Sequence, residues 1–298
     1  MSCWPHWRVA ISFCARKWMS LLAETRLQLE KKMDDPDSTQ SLPLGRVGGE
    51  PEVREATGRH FSWLSCALTD VGNVRRINED ALLNCPEKRL WAVADGMGGH
   101  DAGDLASSTV VSFLSDVLST PRFSDLVDHV EDALLAANTR LFQLGVDRSM
   151  VAGSTVVAMV AHGRHVVVMW AGDSRLYRWR QGRCEQMTRD HSHVEDLVTL
   201  GYITPAEAET HPRANVITRA VGAAPELFIE MELFDLEDGD LFLLCSDGLY
   251  KELALEEIHA VMTSLPPVEA CRRLVDRVLE NGARDNVSVI VILARKNG

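Results

Sequence analysis

The sequence predicts an α+β fold in which antiparallel sheets carry helices on their outer faces. Strand-like runs far outnumber helical patterns along its 298 residues, and several of those runs follow one another with no helix between them. No internal repeat or strictly alternating strand–helix pattern argues for a doubly wound parallel sheet. A composition of 46% hydrophobic and 25% charged residues is that of a globular protein with a large core.

The first sixty residues read as an extension. Trp7, Ile11, Cys14, Trp18, Leu21 and Leu22 recur with helical spacing, and Lys31 and Lys32 lead into a polar run with Pro36 and Pro43. A helix followed by a flexible linker is expected over 1–60, an appendage that also fits a start placed upstream of Met19 or Met33. A packed domain is expected over 61–298. Strands are expected at Trp63–Thr69, Leu90–Ala94, Thr155–Ala161, Val166–Ala171, Leu227–Phe234, Asp240–Cys245 and Val287–Leu293, each an apolar run rich in β-branched or aromatic residues. Helices are expected at Gly103–Leu118, Leu126–Leu144 and Val268–Glu280, where apolar residues recur every three or four positions.

The net charge of −12 belongs to the body of the chain, since residues 1–60 carry nine basic and eight acidic side chains. Such a body repels nucleic acid and anionic lipid, so no nucleic-acid partner is expected. No run approaches the roughly 18 apolar residues of a membrane span. Seven scattered cysteines without a C-x-x-C pair suggest reduced thiols in a cytoplasmic protein.

The informative feature is a set of acids at strand ends. Asp95 follows Leu90-Trp91-Ala92-Val93-Ala94 and opens Asp95-Gly96-Met97-Gly98-Gly99-His100. Asp173 follows the run ending at Ala171, Asp247 follows the run ending at Ser246, and Asp285 stands just before the last strand. Each carboxylate is expected at the rim of a buried strand, and three of them adjoin a glycine that lets backbone approach a ligand. Any one could be an Asp-Gly turn. Four of them, with Asn78-Glu79-Asp80, would hold hard cations, because Mg²⁺ and Mn²⁺ take oxygen ligands.

These residues stand in an ordered set: Thr69-Asp70-Val71-Gly72-Asn73-Val74-Arg75, Asn78-Glu79-Asp80, Asp95 to His100, Gly153-Ser154-Thr155, Gly172-Asp173-Ser174-Arg175, Ser246-Asp247-Gly248-Leu249 and Asp285-Asn286-Val287-Ser288. The set resembles the metal-dependent serine/threonine protein phosphatases of type 2C, in their bacterial form, over about residues 63–295. The resemblance implies a four-layer αββα sandwich, two mostly antiparallel sheets flanked by helix pairs, with two Mn²⁺ or Mg²⁺ ions at one end and a third, weaker ion. By motif position Asp95 would bridge both ions and the Gly96 carbonyl would bind one. Asp247 and Asp285 would hold the second, Glu79 and Asp80 would grip metal-bound waters, Asp173 would serve the third ion, and Arg75 would hold the substrate phosphate.

The resemblance further implies hydrolysis of phosphoserine or phosphothreonine by a water activated between two dications, without a covalent intermediate. The partners it implies are phosphorylated proteins, a cognate serine/threonine kinase and that kinase's substrates, such as forkhead-associated domain proteins. Control of type VI secretion and a monomeric state complete the expectation. Met97 stands where eukaryotic relatives carry a histidine credited with protonating the leaving alcohol, so the acid here is metal-bound water or, less readily, His100, whose motif role is loop packing. The segment from Thr188 to Gly222 resembles the family's mobile flap, and His191 and His193 are read as part of it. Two alternatives stand beside this reading: a silent pseudophosphatase that binds phosphoproteins, disfavoured because Asp95, Asp247 and Asp285 are all present, and a phosphatase of small phosphoesters or of partner-switching regulators, whose usual sensor domains exceed a sixty-residue extension.

Overall fold

The structure is a computed structural model in which residues 49–98 and 102–297 are described. The helix expected over Trp7–Leu22, most of the expected linker and His100 lie outside the described residues. In chain order the elements are β1 (Glu52–Thr57), β2 (Phe61–Asp70), β3 (Asp80–Cys85), β4 (Leu90–Met97), α1 (Ala102–Ser115), α2 (Phe123–Arg148), β5 (Gly153–Ser154), β6 (Val156–His162), β7 (His165–Ala171), β8 (Arg175–Arg180) and β9 (Arg183–Gln186). There follow α3 (His193–Thr199), α4 (Pro205–Glu209), β10 (Glu230–Asp235), β11 (Leu241–Cys245), α5 (Asp247–Tyr250), α6 (Leu255–Ser264), α7 (Pro267–Glu280) and β12 (Val287–Lys296).

The strands form two sheets, ordered β1-β2-β12-β11-β8-β9 and β10-β7-β6-β4-β3, with β5 pairing β4. Among the described residues every strand pairing is antiparallel, the consequence expected of strands joined without intervening helices.

Side-chain alternation makes the sheets stack. Trp91 and Val93 of β4 enter a core between the sheets with Val157, Met159, Phe242, Leu244, Ile290 and Ile292. Leu90, Ala92 and Ala94 of the same strand face the opposite way, toward Val110, Leu114, Val130, Leu134 and Leu141 of α1 and α2. On the other sheet Leu243, Cys245, Val289 and Val291 face Ile258 and Met262 of α6 and Leu274, Val275 and Val278 of α7. A strand buried on both faces reads as a continuous apolar run, which is why β4, β6, β7, β11 and β12 were legible. Three parallel cores make a four-layer αββα sandwich.

The structure also contains elements the sequence reading lacked. Strand β1 pairs residue by residue with β2 from Glu52↔Ala67 to Thr57↔Ser62, so the sheet begins inside the stretch expected as linker. As an edge strand with alternating half-exposed residues, it offers no apolar run. Strand β8 was masked by Arg175, Arg178 and Arg180, whose intervening Leu176, Tyr177 and Trp179 are buried. The strand expected from Leu227 starts only at Glu230, with Leu227 and Ile229 packed beneath the helices instead.

Candidate active site

Antiparallel register gathers the strand-end acids at one pole. Asp80 at the start of β3 lies directly opposite Asp95 near the end of β4, and Asp70 at the end of β2 opposite Val287 at the start of β12. Asp173 follows β7, Asp247 follows β11 and Asp285 precedes β12, so their strands deliver them to the same rim. Asp80 and Asp173 are buried, whereas the Asp285 side chain is 41% exposed.

Backbone packing fixes this rim. The Gly96 N–H donates to the Glu79 carbonyl at 3.0 Å, and a Cβ on Gly96 would stand 2.0 Å from the carbonyl oxygen of Gly103. A Cβ on Gly248, next to Asp247, would stand 1.9 Å from the Asn286 carbonyl oxygen. Asn286 ties the loops together: its Oδ1 accepts from the Glu79 N–H at 2.9 Å, and its Nδ2 donates to the carbonyls of Val71 and Ile77. The Asp95 carbonyl accepts from the Thr155 N–H at 2.8 Å and from the Ser154 hydroxyl at 3.1 Å.

The electrostatics follow from crowding like charges in a partly dry place. Burial, with the charges of Asp80, Asp247, Asp173 and Asp285, raises the Asp95 carboxyl well above the usual aspartate range. Burial pushes Asp80 up to about 7, against hydroxyl donors from Ser288 and Ser246; the Ser246 hydroxyl stands 2.8 Å from its Oδ2. Burial and Asp247 raise Asp173 to about 6, with Lys251 opposing. Burial also raises Glu79, opposed by Arg75, while the Gly103 N–H supports its carboxylate.

Two cations of the chain itself sit against this negative pole. The Lys251 ammonium, one helical turn from Asp247, donates to its Oδ2 at 2.5 Å and to Asn215 Oδ1 at 2.9 Å. Burial alone would lower the Lys251 pKa, but Asp247, Asp173 and Asp95 outweigh it and raise the value. Arg75 donates to Asp285 Oδ2 at 2.8 Å. With Asp247 and Asp285 so engaged, no three acidic, histidine or cysteine side chains among the described residues form a closed metal cage.

The donor set fits hard dications nonetheless. It is all oxygen, burial and the neighbouring carboxylates hold Asp80, Asp95 and Asp173 above their ordinary proton affinity, and Oδ1 of buried Asp173 has no hydrogen-bond partner among the described residues. Histidine is not part of it. His191 accepts from the Gly172 N–H at 3.2 Å and meets Glu230 at 2.7 Å, and burial, the largest cause, lowers its pKa, so it braces the turn before Asp173.

Lys251, Asn215 and Tyr250 were missed by sequence reasoning. Tyr250 donates from its hydroxyl to the Asp173 carbonyl at 3.0 Å, and its ring lies 3.5 Å from the Arg175 guanidinium carbon, itself paired with Asp190 at 2.7 Å. The only signal available was the four-residue spacing of Asp247 and Lys251, which reads equally as an ordinary helical ion pair. The contact of Lys251 with Asn215 brings the segment expected as a flap against the Asp247 side of the rim.

Comparison with known proteins agrees with this architecture. The chain is 35% identical over 227 residues to the serine/threonine protein phosphatase PstP of Mycobacterium tuberculosis, covering 76% of this chain but only 44% of that relative. The structure of PppA, described as a key regulatory component of the type VI secretion system in Pseudomonas aeruginosa, superposes with a TM-score of 0.73 at 40% identity, covering 79% of this chain and 98% of that one. The catalytic domain of PstP in complex with two manganese ions superposes with a TM-score of 0.71 at 33% identity, covering 79% and 99%. The family profile described as protein phosphatase 2C matches residues 74–288, from beside Arg75 through the last rim acid to the start of β12. A two-sheet sandwich with carboxylates gathered at one pole, matched over that span, places the chain in the protein phosphatase 2C family.

Proposed function

We propose that this chain is a metal-dependent protein phosphatase that removes phosphate from serine or threonine side chains. The observation that carries the proposal is the gathering of Asp80, Asp95, Asp173 and Asp247 at one pole, where each raises another's affinity for positive charge. Asp95, the Gly96 carbonyl, Asp247 and Asp285 would hold two Mn²⁺ or Mg²⁺ ions, with Asp173 at a third, weaker position. When bound, such ions lower the pKa of water and offset charge developing on phosphorus.

The chain's own residues supply the rest. Glu79 and Asp80 accept hydrogen bonds from water at the rim and orient it. Arg75, half-exposed and paired with Asp285, offers a planar fork that can exchange that carboxylate for two phosphate oxygens. Met97, which stands where eukaryotic relatives carry a histidine, has no proton to give. The leaving alkoxide would take its proton from water at the site or, less readily, from His100.

The likeness to PppA and PstP supports a bacterial setting in which this enzyme opposes a serine/threonine kinase, with type VI secretion among the processes it would serve. Its place would be the cytoplasm; no described helix is long and apolar enough to cross a membrane. The test is hydrolysis of a phosphothreonine peptide by the full chain with Mn²⁺ or with a chelator, beside Asp95→Asn. Turnover that requires both Mn²⁺ and Asp95 is expected. Folded, Mn²⁺-loaded protein that leaves several phosphopeptides intact would overturn the proposal in favour of a binding module.

A further inference from the structure

The opposite pole of the sandwich carries a second feature, of opposite sign. Three hairpin turns meet there: Gly58 to Phe61 between β1 and β2, Arg89 before β4, and His162-Gly163 between β6 and β7. With Pro121 they enclose a cavity of about 240 Å³, lined by Arg59, His60, Trp63, Arg89 and His162, with no acidic residue in its wall among the described residues. In a chain of net charge −12 this is an unusual concentration of positive groups.

Several acids near this pole are engaged with other groups, Glu87 of the Arg89 turn with Arg54 at 3.9 Å among them. Asp235 pairs with Arg164 at 3.0 Å and His165 at 2.6 Å, Asp240 and Glu237 pair with Arg180 at 2.7 and 2.8 Å, and Asp238 accepts from the Lys296 N–H. Among the described residues, Arg59 and Arg89 have no carboxylate partner. Arg89 is half-buried and held in the left-handed region at φ 55°, a conformation a non-glycine residue seldom keeps without local compensation. Its carbonyl is fixed by the Ala161 N–H at 2.9 Å, and its guanidinium lies over Gly58, where an added Cβ would stand 3.4 Å from Nε. Gly163 lies beside the His60 turn, where an added Cβ would stand 3.9 Å from the His60 ring, an ordinary contact distance. The His162 ring is stacked 5.7 Å from Phe123, which sets its plane.

We propose that this cavity is an anion site that binds a phosphoryl dianion at the pole remote from the carboxylates. Two guanidinium groups on separate hairpins can each donate to different phosphate oxygens, and the imidazoles of His60 and His162 add further donors. The volume suits a phosphate with several waters, at roughly 30 Å³ per water. An anion at the acidic pole would need metal to compensate the carboxylates, whereas here the compensating charge is already built in. The same chemistry can arrive as free phosphate or as a phosphorylated side chain, and the site does not depend on the catalytic reading.

The test is fluorescence anisotropy of a labelled phosphothreonine peptide with the full chain at low ionic strength in chelator, so that the acidic pole carries no metal. The unphosphorylated peptide serves as control and inorganic phosphate as competitor. Arg59→Gln/Arg89→Gln is expected to weaken binding at least fivefold while Arg75→Gln binds as wild type. Displacement of the peptide by inorganic phosphate at comparable concentration assigns the site to free phosphate; displacement only at far higher concentration assigns it to phosphorylated polypeptide. Arg59→Gln alone, at an exposed turn, covers loss of folding in the double variant and is expected to weaken binding at least twofold. Binding that survives the double variant, or is abolished by Arg75→Gln, overturns the proposal, as does the absence of binding by both peptide and phosphate. With Mn²⁺ present, the double variant is expected to hydrolyse a small aryl phosphate at the wild-type rate, which separates failure of this site from failure of the catalytic proposal.

Discussion

Asp80 and Asp95 stand directly opposite one another across the β3–β4 pair, two carboxylates on one face of a sheet where like charges ordinarily destabilise the pairing. Burial raises both, and Asp80 keeps its proton to about pH 7, whereas an unfolded aspartate loses it near 4. Between those values the native state binds more protons than the unfolded chain, so this contribution to stability is full below about pH 4 and is lost as pH rises toward 7. In chelator, Asp80→Asn should therefore melt several degrees above wild type at pH 7.5 and converge with it near pH 4.5. Parallel melting curves at every pH would sink this account. By the same linkage, Mn²⁺ affinity should climb with pH through the range from about 6 to 7, where Asp173 and Asp80 release their protons.

The Lys251 ammonium competes with any dication for Asp247. Lys251→Met keeps much of the aliphatic stem and removes the charge, so calorimetric titration should show Mn²⁺ binding tightened several-fold. Unchanged affinity would mean that the amine swings away at no cost when metal arrives. Loss of the Asn215 contact should also quicken proteolysis between α4 and β10, a readout independent of metal.

Much of this pole was legible because Asp95, Asp173 and Asp247 come within two residues of the apolar runs that end at Ala94, Ala171 and Cys245, and a chain leaving a buried run there arrives at the rim. Strand β8 was hidden because the charges of Arg175, Arg178 and Arg180 are neutralised by Asp190, Glu185 and Asp240, partners the sequence does not juxtapose. The basic cavity was illegible for the same reason, its four cationic or titratable residues coming from three hairpins brought together only by the sheets. Lys251 was missed because nothing local reveals that Asp173 and Asp95 lie close enough to act on it.

Arg75 should act on substrate rather than on folding. Its partner Asp285 and its own half-exposed position make the pair weakly stabilising, so Arg75→Ala should change the melting temperature little. Loss of a bidentate phosphate contact should lower kcat/KM on a phosphothreonine peptide roughly 100-fold, with Arg75→Lys recovering only part of it. Steady-state kinetics beside Mn²⁺ titration checks this, and a variant that fails because it no longer binds metal would reassign Arg75 to holding Asp285.

Asn138 should be the structural keystone linking α2 to the rim. Buried in the middle of that helix, it accepts from the Gly222 N–H at 2.7 Å and donates to the carbonyls of Ala224 and Pro225 at 3.1 and 3.3 Å. The adjoining Val221 exchanges backbone hydrogen bonds with Ser154, and the Ser154 hydroxyl reaches the Asp95 carbonyl. Asn138→Ala leaves a buried N–H and two carbonyls to find new partners, a cost of about 2 to 3 kcal/mol, or a fall of roughly 5 to 10 °C in Tm. The loss should exceed that of Thr139→Ala, whose hydroxyl bonds only within the exposed helix, to the Leu135 carbonyl. Because the chain of contacts ends on the Asp95 backbone, Mn²⁺ affinity should fall along with stability in Asn138→Ala and recover in Asn138→Asp, which keeps the acceptor for Gly222. Equal melting of the two variants would show that the carbonyl contacts, not the Gly222 N–H, carry the link.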